Sequence, residues 1–120
     1  MIGKFLFPVL LTLWVGLLIY LSGVPHLFIG TNDWLIRKLG HTAAYGILTY
    51  LLWENSSYVT KKVHFKIILC ICIVLIIAVY DEIHQMSIPG RSGNYKGLLF
   101  DVLGMTLVLS FLNIVQRRTK

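Results

Sequence analysis

The sequence predicts an all-α membrane protein: a bundle of four transmembrane helices with a structured loop between the third and fourth. Three observations predict it. Of 120 residues, 57% are hydrophobic and only 13% are charged, whereas a soluble domain of this size carries about a quarter charged residues. Four apolar runs, 5–22, 38–53, 65–83 and 98–115, each approach the length that crosses a bilayer as a helix, roughly 20 residues. Between them lie short polar segments rich in Gly, Pro, Ser and Asn, which break helices and make turns. The runs use nearly the whole chain, so residues 1–120 read as one integral membrane domain.

The first run follows Lys4 and ends near Ser22. It is long for the apolar part of a secretory signal and no A-x-A-like site follows it, so it reads as a span. Pro8 falls near its start, where a helical N–H has no partner to lose. The second run, preceded by the Gly/Pro-containing connection SGVPHLFIGTND (22–33), contains KLGHTAAYGILTY. The third, after the polar loop ENSSYVTKKVH (54–64), ends in AVYDEIHQM. The fourth follows the turn-rich SIPGRSGNYKG (87–97) and opens on GLLFDVLG. Trp14, Tyr20, Trp34, Tyr50 and Trp53 fall at or near span ends, where amphipathic rings anchor at headgroups.

The net charge is +6, which raises the question of nucleic acid, but the bases sit in connections and at the ends rather than in a patch. That distribution fits residues that orient a chain in a bilayer, so no nucleic-acid partner is assigned. With both termini inside, the inner segments carry Lys4, Lys61, Lys62, Lys66, Arg117, Arg118 and Lys120. The outer ones carry Arg37, Lys38, Arg91 and Lys96. The excess favours a multi-pass protein with both termini cytoplasmic. Cys70 and Cys72 point about 200° apart on a helix, so they neither pair nor share an ion, and they read as buried apolar packing.

In that topology, the start of the second span, the end of the third, the following loop and the start of the fourth share the outer side. Lys38, His41, Thr42, Tyr45 and Thr49 fall within roughly a 100° arc of one helix. Gly46, Ala43 and Ala44 allow a second helix to approach closely. Asp81, Glu82, His84 and Gln85 share a sector of about 160° on the third, and Asp101 opens the fourth. Each has a plain reading of its own. His41 could be a hydrogen-bonded interior histidine, Lys38 could snorkel to headgroups, and Asp101 could answer a helix dipole. Arg91 could be an ordinary loop charge and Tyr45 could merely pack. Three of only five acids nevertheless converge with two histidines and two bases, and ionisable side chains within membrane helices mark functional sites. The competing view is a structural network that only fixes helix pairing, since leaving a buried carboxylate unpaired costs more than one interhelical hydrogen bond contributes.

At KLGHTAAY, YDEIHQMSIPGR and GLLFDVLG, the sequence resembles the VanZ-like family of small bacterial membrane proteins. The resemblance covers residues 38–104 and rests on Lys-x-x-His-x-x-x-Tyr, Asp-Glu-x-His-Gln and Pro-Gly-Arg. It implies a four-helix membrane fold and kinship with a protein associated with low-level resistance to the glycopeptide teicoplanin. Carried over by position, the family's residues are Lys38, His41, Tyr45, Asp81, Glu82, His84, Gln85 and Arg91, with Asp101 at a site commonly Asn or Asp. Three positions depart from the family's pattern: Gly97 where an acid is frequent, Val108 where a glycine is frequent, and Arg37 where an acid is common.

These residues predict an outer-leaflet polar site that binds or modifies an anionic, lipid-linked cell-wall precursor or another envelope component. Lys38, Tyr45, Gln85, Arg91 and Asp101 would bind substrate, Arg91 by bidentate hydrogen bonds. His41, Asp81, Glu82 and His84 would supply acid–base chemistry, a carboxylate orienting an imidazole. A cation held by Asp81, Glu82 and Asp101 would need adjacent Asp-Glu, a poor helical spacing for two ligands, so no metal is assigned and the cofactor stays open. The alternatives are a non-catalytic protein that shields a precursor or the glycopeptide, and a small transporter. Whether turnover occurs, and in what oligomeric state, the sequence leaves open.

Overall fold

The computed structural model describes residues 2–23, 33–89 and 95–120. Those residues form four helices and, among them, no strand: α1 (Ile2–Ser22), α2 (Asp33–Ser56), α3 (Val63–Met86) and α4 (Tyr95–Arg118). Each expected span is present and overruns its apolar stretch by a few residues at one or both ends. At about 1.5 Å per residue, the three 24-residue helices are roughly 36 Å long, enough to cross a hydrocarbon layer of about 30 Å.

The helices are not equally suited to lipid. Gly3–Ser22, Val63–Met86 and Lys96–Arg118 are long and apolar enough to cross a membrane. Helix α2 is long enough but does not meet that standard of apolarity, so three of the four expected spans stand on composition. The reason lies in its position. It packs on all three other helices, most extensively on α4, and buries Tyr45, Leu48, Thr49, Leu51, Leu52 and Trp53 against them. The face packed on its neighbours can carry polar groups that a lipid-facing surface cannot, while Leu35, Leu39 and Ile47 leave another face of α2 exposed and apolar. Likewise, α1 leaves Phe5, Val9, Leu13, Leu17 and Tyr20 exposed, the pattern of a helix whose outer face meets hydrocarbon.

Small residues set the α2–α4 crossing. A Cβ built on Gly104 would collide with the backbone carbonyl of Thr42, and Gly46 faces Gly104 from the other helix. The two backbones therefore touch without intervening side chains, the close packing that small residues permit in membrane bundles. Val108 fits beside Gly46, where an added Cβ would meet its Cγ2 at 3.1 Å. Below this crossing, Tyr45, Leu48, Leu52, Trp53, Cys70, Val74, Ala78, Met105 and Leu109 form the core.

Three sequence expectations change. Trp14 and Trp53 are not headgroup anchors: Trp14 donates its indole N–H to the Ala44 carbonyl at 3.0 Å, and Trp53 is buried in the core. Cys70 is buried as expected, but Cys72 faces outward. Because α1 begins at Ile2, Pro8 lies beyond its first turn rather than within it. The connection 24–32 and most of the turn-rich loop before α4, including Arg91, lie outside the described residues.

Candidate functional site

The polar residues gather at one end of the bundle, where α1 and α3 finish and α2 and α4 begin. Helical periodicity puts His41 and Tyr45 one turn apart on α2 and Asp81 and Gln85 one turn apart on α3. The close α2–α4 crossing brings the start of α4 against the first pair. His41 Nδ1 lies 2.6 Å from Asp101 Oδ1, the Asp101 side chain being fully buried. Asp81 Oδ2 accepts from the Tyr45 hydroxyl at 3.2 Å and from Gln85 Nε2 at 2.9 Å. One hydrogen-bonded unit thus ties α2 to α4 and another ties α2 to α3.

The accounting for buried acceptors is incomplete. Asp81 Oδ1 and Asp101 Oδ2 have no hydrogen-bond partner among the described residues. Buried carboxylate oxygens in native proteins almost always have one, and leaving one bare costs about 1–3 kcal/mol or more for a charged group. A proton, a water or a ligand would satisfy them.

His84 takes a different partner from the acids beside it. Its Nδ1 is 2.7 Å from Ser22 Oγ at the end of α1, and Ser22 Oγ itself donates to the Ile19 carbonyl at 3.1 Å. The consistent assignment has His84 Nδ1–H donating to the serine oxygen. That assignment leaves Nε2 as the acceptor nitrogen and the serine without a base to activate it. Glu82 is turned the other way, toward α4: a Cβ at Gly97 would lie 2.9 Å from Glu82 Oε2. The missing side chain at 97 thus makes room for the Glu82 carboxylate, so this chain places its acid from α3 where the family pattern often has one on α4.

A cavity of about 290 Å³ opens beside the site between α1, α2 and α3. Leu18, Leu21, Ile36 and Ala44 give it an apolar wall, and Arg37, His41, Tyr45, Asp81 and Gln85 give it polar groups. A second cavity, of about 170 Å³ and lined by Val15, Ile19, Ile76, Ile77 and Tyr80, shares Leu18, Tyr45 and Asp81 with the first. Both lie beside α1, which rests only lightly on α3.

Of the nine sequence-derived site residues, His41, Tyr45, Asp81, Gln85 and Asp101 form one constellation. Glu82 and His84 flank it. Lys38 does not line either cavity, its Nζ lying 5.6 Å from the centre of the Phe100 ring. Arg91 lies outside the described residues. Sequence reasoning missed Ser22 and the cavity position of Arg37. Ser22 was findable as a small polar residue closing an apolar helix, whereas the choice of Arg37 over Lys38 depends on the rotation of α2, which its period does not fix.

The architecture and site define a small helical bundle of membrane character with a buried, partly unsatisfied acid–histidine cluster. Residues 4–116, nearly the whole chain, match the VanZ/LLP1 family, and the protein belongs to it. No curated protein and no solved structure matches the chain.

Proposed function

We propose that this VanZ-like protein holds an anionic, lipid-linked cell-wall precursor or a related envelope lipid in the cavity beside His41 and Asp81. One observation carries the reading: two neighbouring cavities with predominantly apolar walls share Tyr45 and Asp81, members of the buried polar cluster, in their linings. Such a surface suits a molecule with a hydrocarbon tail and a polar head. The tail would lie along Val15, Leu18, Ile76 and Ile77, and Arg37 would meet the head at the cavity wall. Helix α2 would cross the bilayer with its polar face buried against its three neighbours and Leu35, Leu39 and Ile47 turned outward. The distribution of basic residues supports a site on the outer leaflet, with both termini in the cytoplasm of a bacterial plasma membrane.

The His41–Asp101 pair adds a chemical capability. A carboxylate that holds Nδ1–H leaves Nε2 as a base, the arrangement used to activate a hydroxyl or water. The same charges without turnover would make a shielding protein, and the link to glycopeptide resistance rests on family kinship alone. The test is mass spectrometry of lipids retained by the purified protein. Wild-type protein should retain a polyprenyl-pyrophosphate-type lipid, and Arg37→Ala should lose it. Recovery of bulk phospholipid only, equally in both proteins, would remove the reading. If the lipid is retained, His41→Ala separates the two modes: loss of conversion with retention intact marks an enzyme, and an unaltered lipid in wild type marks a binder.

A further inference from the structure

We propose that His41, Asp81 and Asp101 form a binding site for a single divalent cation of the Mn²⁺ or Zn²⁺ class. The three residues come from three different helices, and each offers one ligand atom within 4.8 Å of the others. Ligands bonded at about 2.1 Å lie roughly 3.4 Å apart in a tetrahedral site, so a contraction of about 1.5 Å or less completes it. Adjacent Asp81 and Glu82 cannot serve together, because Glu82 turns toward Gly97; the third ligand comes instead from α2.

The second observation is independent of this clustering. Asp81 and Asp101 are both more than nine-tenths buried, and each keeps one oxygen that no described residue satisfies. Hydrogen bonds from Tyr45 and Gln85 already fix one oxygen of Asp81 and orient that carboxylate, as partners of ligating groups commonly do. The 2.6 Å contact between His41 Nδ1 and Asp101 Oδ1 would be exchanged for bonds from both groups to the ion. A donor set of one imidazole nitrogen and two carboxylate oxygens suits Mn²⁺ or Zn²⁺ better than the all-oxygen preference of Ca²⁺ or Mg²⁺.

His41 and Asp81 also line the larger cavity, so the ion's remaining coordination positions point to that space. A phosphate oxygen would bind there, which resolves the presence of acids in a cavity meant for an anion; this last step rests on the proposed function, whereas cation binding does not.

The experiment is titration of EDTA-treated, detergent-purified full-length protein with Mn²⁺, followed by electron paramagnetic resonance, and with Zn²⁺, followed by calorimetry, both without added lipid. Wild-type protein should bind one ion per chain and gain thermal stability with added ion. His41→Ala and Asp101→Asn should weaken binding by about 100-fold, while Glu82→Gln should leave it unchanged. Circular dichroism establishes that the variants remain helical, and the wild-type stability shift tests the site without any variant. No binding to wild type, or binding that His41→Ala and Asp101→Asn leave intact, would overturn the site. Lipid retention measured separately in EDTA distinguishes the two ideas: an ion bound without any lipid preference keeps the cation site and removes the phosphate step, and lipid retained by a protein that binds no ion does the reverse.

Discussion

The two ends of the bundle handle buried polarity in opposite ways. At the end where α2 passes into α3, polar side chains satisfy backbone groups and one another. Asn55 Nδ2 donates to the carbonyls of Phe7 and Leu51 at 3.1 and 2.7 Å, Tyr58 donates to the Gly3 carbonyl at 2.9 Å, and Ser56 donates to the Trp53 carbonyl at 2.7 Å. Lys66, buried although charged, donates to Ser57 and lies 4.9 Å from the centre of the Trp53 ring. These bonds tie α1 and α3 to the α2 turn, and no carboxylate there is buried. At the opposite end, two fully enclosed aspartates retain oxygens without a partner. The first end is fastened by side-chain hydrogen bonds, Asn113 Oδ1 on α4 being an exception, whereas the second leaves carboxylate oxygens without a partner among the described residues. Side-chain bonds should therefore serve stability at the first end, while the carboxylates of the second serve ligand binding and the Gly104 crossing holds them in place.

Four changes test that division, beginning with the largest effect. Gly104→Val should abolish the assembled site, because its side chain must displace the Thr42 backbone rather than a movable side chain. The expected loss is about 3 kcal/mol or more, the upper range for overpacking, read by thermal unfolding in detergent. Retention of wild-type stability would mean that the α2–α4 crossing is not as close as described. Asn55→Ala comes next. It removes the side-chain link between α2 and α1 and should cost about 1–2 kcal/mol, without altering lipid or cation binding.

Its counterpart is Asp81→Asn, which removes a charge that the fold leaves half satisfied. This variant should change stability by less than about 1 kcal/mol in either direction, yet eliminate binding. A large destabilisation with binding retained would instead make the cluster a structural network. The smallest effect belongs to Tyr58→Phe. Its hydrogen bond is exposed, and its loss should cost about 0.5 kcal/mol, detectable only in a paired unfolding series.

Much of this was legible in the sequence. The apolar runs fixed the helices, and period 3.6 correctly put His41 with Tyr45 and Asp81 with Gln85 on facing sides. Composition alone, however, read α2 as a span equivalent to the others, whereas the other three helices are the ones apolar enough to cross a membrane by that measure. Periodicity states which residues share a face, not which neighbour that face meets. Hence Glu82 and His84, two residues apart, were grouped with Asp81, while the structure sends one to Gly97 and the other to Ser22. The indoles of Trp14 and Trp53 were misplaced for a similar reason: distance from a span end gives no information about whether a ring turns inward.

The touching backbones of Thr42 and Gly104 also impose an order on biosynthesis. Asp101 and Gly104 belong to α4, made after the three helices before it, so the nascent chain carries His41 and Asp81 without their third companion until translation has passed them. A ribosome-bound intermediate ending before residue 100 has neither the clamp nor the complete acid–imidazole group. Acquisition of any ligand through this constellation consequently waits for α4 to be made and to close on α2.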